Sequence, residues 1–82
     1  MEPIREGFDV FLHDGDKAFG AVRQVGGRGL VIYIENAGDF DVRAEAIRDV
    51  HDGKVVLDAG HLDARLRDAI RRAHGGEDPR IA

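Results

Sequence analysis

The chain has 82 residues, no cysteine, and 16 acidic against 12 basic side chains, for a net charge of −4. Its length gives one domain that buries about 60–65% of its unfolded surface, and the missing cysteines exclude disulfides and thiol chemistry. Serine and threonine are also absent, which removes the commonest hydroxyl nucleophiles.

Residues 1–7 form an irregular lead-in, held so by Pro3 and Gly7. The first strand is expected over 9–14, where Val10 and Leu12 share one face and Phe11 and His13 the other. A turn over 13–17 follows, with Asp14-Gly15 supplying residues that tolerate positive φ. A second strand is expected over 18–25. Gly20 inside it signals a bulge or a close backbone crossing, as at a barrel corner. Gly26-Gly27-Arg28-Gly29 makes a flexible turn into the strongest strand, 29–35. Leu30 to Ile34 are five consecutive apolar residues, mostly β-branched or aromatic, which predicts burial on both faces.

After a turn over 36–39, a short strand is expected at 40–42 and one helical turn at 44–47. Strands at 48–51 and 54–57 are joined by Asp52-Gly53, the strongest short-range hairpin signal. A helix is expected over 61–73. Leu62, Leu66, Ala69, Ile70 and Ala73 recur at i, i+4, i+7, i+8 and i+11 and form one apolar stripe. Gly75-Gly76 stops it, and 77–82 is expected to be a loose tail. Strands first and a helix last predict a mainly β fold. The expected form is a small antiparallel β-barrel of five to six strands over 1–59, with one C-terminal α-helix over 60–76 packed on the barrel or on a partner subunit. The expected core is Phe8, Val10, Leu12, Phe19, Val22, Leu30, Ile32, Ile34, Val42, Ile47, Val50, Val55 and Leu57, with Leu62, Leu66 and Ile70 packed on a barrel face.

Charge is distributed unevenly. Residues 1–59 hold 12 acidic and 7 basic side chains, a net of −5, whereas 60–82 hold 4 and 5, a net of +1. An acidic barrel repels phosphate backbones, so nucleic-acid binding is disfavoured. The longest apolar run, five residues, is far below the roughly 20 that a membrane helix needs. The first residues contain no signal-peptide core, and a soluble cytoplasmic protein without membrane insertion is the expectation.

The stretches Glu6-Gly7-Phe8-Asp9-Val10 and Asp14-Gly15-Asp16-Lys17-Ala18-Phe19-Gly20-Ala21-Val22 resemble the opening of PRC-barrel-like domains. Those open with a short strand, a D-G turn and a strand of the form apolar-Gly-x-Val. Residues 40–50 are similar to a later landmark of the family, and the likeness covers about residues 4 to 58. The chain departs at Arg43, where many relatives carry proline. The resemblance implies a small barrel of the PRC or SH3-like kind, used for assembly or docking and without catalytic residues. It points to the short stand-alone bacterial members. Other members occur in a photosynthetic reaction-centre subunit and in a ribosome maturation factor.

The residues themselves offer few chemical sites. His13, His51, His61 and His74 lie near Asp14, Asp49, Asp52 and Asp58, but no H-x-x-x-H spacing is present, and a structural metal needs four convergent ligands. Asp14, Asp16, Glu35, Asp39 and Asp41 crowd two turns, where aspartate serves turn geometry. The glycine-rich turn at 26–29 lacks the Walker spacing and its lysine. No catalytic residue, cofactor or metal site is therefore assigned, and an enzyme is not expected. The leading expectation is a protein-interaction module, self-associating as a homodimer or docking another protein, through Val31, Tyr33, Leu62, Leu66 and Ile70. The alternatives are an RNA- or ribosome-associated factor using Arg65, Arg67, Arg71 and Arg72, and a metal or small-ligand sensor using the histidines.

Overall fold

The computed structural model describes residues 3–12 and 17–75. Most of the expected 13–17 turn and the 77–82 tail lie outside them. Six strands precede the helix: β1 (Asp9–Phe11), β2 (Gly20–Gly26), β3 (Gly29–Ile34), β4 (Gly38–Arg43), β5 (Ile47–His51) and β6 (Lys54–Leu57). One 3-10 turn, Ala44–Ala46, links β4 to β5, and a second, Ala59–His61, precedes α1 (Ala64–Gly75).

The local signals act as expected at two turns and one crossing. Asp52 and Gly53 both take positive φ, 51° and 73°, and close the β5–β6 hairpin. Gly26 pairs with Gly29 at the end of the β2–β3 hairpin. A Cβ on Gly20 would sit 2.5 Å from the Tyr33 carbonyl oxygen, so this strand position is a close backbone approach. The bulge itself falls later, between Val22 and Gln24, with Arg23 as the extra residue.

The fold is mainly β, but the sheet is mixed and is not closed. Strand order is β4-β3-β2-β1-β6-β5, and β1 pairs with β6 in parallel. Four of the five pairings are antiparallel, as expected; the unclosed sheet corrects the expected barrel, and parity gives the reason for the one parallel pair. From β1 the strands alternate down to β4. Because β6 runs with β1, and β5 against β6, β4 and β5 point the same way. They are therefore one strand path, broken by a three-residue turn, that leaves one edge of the sheet and joins the other. Counting that path once, the ring has an odd number of members, and an odd ring cannot alternate throughout.

The same turn shows that the sheet curls. Six strands laid flat would separate the outer two by about 24 Å. The four Cα steps from Arg43 to Ile47 reach at most about 14 Å. The edges are thus drawn together at the turn, yet no ladder forms between β4 and β5.

The core fills the inner face of this curl. Val10, Val22, Leu30, Ile32, Ile34, Val42, Val50, Val55 and Leu57 are buried there, as is Phe19. Phe8, Leu12 and Ile47 are only partly buried against it, while Phe40 and Ala46, outside the expected set, belong to it. Leu62, Leu66, Ala69 and Ile70 complete the same cluster, so the helix stripe packs within its own chain.

The helix starts three residues later than expected. The Asp58 carboxylate accepts from Gly60 N–H at 2.9 Å and ties 59–61 into the 3-10 turn. Leu62 is extended, and Asp63 caps the helix by accepting from Leu66 N–H at 2.8 Å.

Candidate interaction surface

The outer face of β2–β3–β4 is built by register. Ala21, Tyr33 and Asp39 form one row, Gln24, Val31 and Asp41 the next, and Gly26, Gly29 and Arg43 a third. The first row begins with a small residue and the third with two glycines, so Tyr33 stands proud and the far end is low. Tyr33 is 38% exposed, and the only other large apolar side chain this exposed among the described residues is Val25. Val25 pairs with Leu30, on the inner-face side of the hairpin tip, and so lies apart from Tyr33.

The bulge places Arg23 beside the tyrosine. Its guanidinium lies 5.3 Å from the ring centroid and 3.6 Å from Asp39 Oδ1. Both charged groups are more than half exposed, so the ion pair adds little stability. It does place charges of both signs beside the ring, with the guanidinium over it and the Asp39 carboxylate next to that guanidinium. Beyond Val31 the surface falls into a shallow, largely apolar hollow of about 280 Å³. Gln24, Gly26, Gly29, Val31, Asp41 and Arg43 line it, with Arg28 at its rim.

Of the five candidate interface residues, Val31 and Tyr33 are at the surface. Leu62, Leu66 and Ile70 are 7%, 1% and 3% exposed within the single chain. The expected double-sided burial of β3 is likewise one-sided: Leu30, Ile32 and Ile34 are buried, Val31 is half-buried and Tyr33 is exposed. The helix stripe joins the inner-face cluster and leaves the outer face of β3 open.

The four helix arginines are all exposed. They do not form an unbroken basic surface. Asp68 accepts from Arg71 at 2.8 Å and pairs with Arg72 at 3.2 Å. The Arg71 hydrogen bond, helped by the charge of Arg72, lowers the Asp68 pKa and keeps the carboxylate charged between them. The Arg65 guanidinium lies 5.3 Å from the Phe40 ring centroid. A groove of about 920 Å³ runs beside the helix, and Glu35 and Asp68 share its lining with Lys17, Arg65 and Arg72.

The histidine sites are pairs rather than clusters. His51 Nδ1 lies 2.8 Å from Asp49 Oδ2, and His61 Nε2 lies 3.8 Å from Asp58 Oδ2. No group of three potential metal ligands converges among the described residues. His13, Asp14, Asp16 and the side chain of His74 lie outside those residues. Glu35, Asp39 and Asp41 are exposed; Glu35 lines the groove beside the helix and Asp41 the hollow, so they do not converge. No described helix is long and apolar enough to cross a membrane.

Sequence reasoning missed Arg23, Asp39 and the glycine hollow as parts of one surface. Simple alternation puts Arg23 and Val25 on one face, and only the bulge exchanges Gln24 and Val25. Comparison with family models, with curated proteins and with solved structures finds no match to the chain.

Proposed function

We propose that this chain is a non-enzymatic protein-interaction module that self-associates through the outer face of β2–β3–β4. The observation that carries the reading is the exposed Tyr33 beside half-buried Val31 on an uncovered sheet face. Charges of both signs surround them: Arg23, Arg28 and Arg43 against Asp39 and Asp41. A mixed rim around an apolar centre suits a partner with the same surface, as a two-fold dimer requires. The PRC or SH3-like small-barrel reading belongs to the same proposal. Its support is the single strand path through β4 and β5, which touches both edges of a curled sheet.

The patch is small. Three strands about 4.8 Å apart and about 20 Å long present roughly 300 Å² per copy. Stable complexes bury about 800 Å² per partner. The dimer is therefore expected to be weak and concentration-dependent. Light scattering over a hundredfold range, reaching several hundred micromolar, tests it. The mass should rise from 9.0 kDa toward twice that value. A mass of 9.0 kDa at every concentration overturns the reading.

RNA binding through Arg65, Arg67, Arg71 and Arg72 is the second reading, supported by their common exposure. Asp68 opposes it by occupying two of the four. Binding to mixed RNA that weakens steeply with salt, and drops on charge reversal of these arginines, would establish it. No binding in dilute buffer would eliminate it.

A further inference from the structure

We infer that the two copies meet face to face about a two-fold axis at Val31, with each Tyr33 seated in the glycine hollow of the other. The inference rests on the self-association just proposed and specifies its geometry.

The argument begins with shape. β3 carries a knob and a hole on one face, with Val31 midway between Tyr33 and Gly29. A two-fold axis across the strand at Val31 lays Tyr33 over Gly29 of the second copy, and Gly29 under Tyr33 of that copy. Both contacts form at once, which is the defining property of an isologous interface. Packing two sheets face to face brings their backbones about 10 Å apart, a gap that an aromatic ring fills.

Charge then agrees with shape at two positions. The axis keeps β4 over β4. Asp39 shares a row with Tyr33, and Arg43 shares a row with Gly29. Asp39 of each copy therefore faces Arg43 of the other, in addition to its own-chain pair with Arg23, and these charges flank the seated rings. The axis also sets Asp41 opposite its own copy at the rim. That like-charge contact opposes association, and it supplies a distinctive test.

The hollow can be filled without disturbing the fold. A Cβ on Gly26 would have the Gly29 carbonyl oxygen as its nearest neighbour, at an ordinary 3.7 Å. Gly29 is unsuitable, because a Cβ there would run into the Val42 carbonyl oxygen. The experiment is sedimentation or light scattering of the full chain and its variants, with melting curves to confirm folding. Gly26→Leu and Tyr33→Ala should each weaken association at least tenfold. Asp41→Asn should strengthen it severalfold, with a mass that stops at the dimer and an unchanged melting curve. The chain has no cysteine, so Val31→Cys provides a single thiol beside the axis. A short bismaleimide should cross-link this variant into dimers, and should not cross-link Val25→Cys.

A wild-type dimer indifferent to Gly26→Leu, Tyr33→Ala and Asp41→Asn overturns this geometry and leaves self-association standing. A wild type that stays monomeric at every concentration overturns both.

Discussion

The two faces of β3 carry neighbouring residues of one strand and have opposite fates. Leu30, Ile32 and Ile34 lie against the inner faces of the sheet and the helix, and Ile32 is fully buried. Val31 and Tyr33 share a surface with Arg23, Asp39 and Asp41. Sequence hydrophobicity cannot separate the two sets, because all five residues are apolar or aromatic. What separates them is the supply of apolar surface to cover each face. Among the described residues the helix stripe is the further apolar surface after the strands, and the inner face takes it.

The contrast can be broken most severely from the helix. Leu66→Asp places a carboxylate where the side chain is 1% exposed, with no buried polar partner nearby. A loss of about 4 kcal/mol or more is expected, enough to unfold a small domain, and circular dichroism would show it. A folded variant of unchanged melting temperature would mean that the stripe contributes nothing to the core.

Paired truncations on β3 sharpen the comparison. Ile32→Ala should cost about 2–5 kcal/mol in urea unfolding, by lost burial and a cavity. Tyr33→Ala should cost less, about 1–2 kcal/mol in the monomer, because the ring is already partly in water. Equal costs would show that both faces are packed alike. At the helix start, Asp63→Ala removes the cap on Leu66 N–H and should cost about 1 kcal/mol.

The smallest effect concerns pH at the helix surface. The folded pKa of Asp68 is lowered, so its contribution is present above the unfolded value of 3.8 and is lost as pH falls through the folded value. The ion pairs lie at the surface, where solvent screens them, so the contribution is slight. A titration of Asp68 by NMR should show the depression, and Arg71→Ala should relieve more of it than Arg72→Ala.

Much of the fold was legible along the chain. All six strands, the 3-10 turn after β4, the Asp52-Gly53 hairpin and the helix stripe follow from periodicity and turn chemistry, which act between near neighbours. The later helix start was also locally encoded, since Asp58 and Asp63 each cap a backbone N–H two or three residues on. The expected interface was only partly legible. Leu62, Leu66 and Ile70 form a visible stripe, but periodicity does not say what a stripe packs against. The Arg23–Tyr33–Asp39 grouping depends on a bulge that alternation conceals.

The sequence by itself determined which segments are strands, where the tight turns fall, and that one amphipathic helix follows them. The tertiary structure alone decided three things. It made β1 and β6 parallel, because a single strand path serves both edges of the sheet. It left the seam between β4 and β5 without a ladder. It also turned the helix stripe inward, leaving Tyr33 at the surface. Each depends on residues far apart in the chain competing for the same interior, a competition that local pattern does not record.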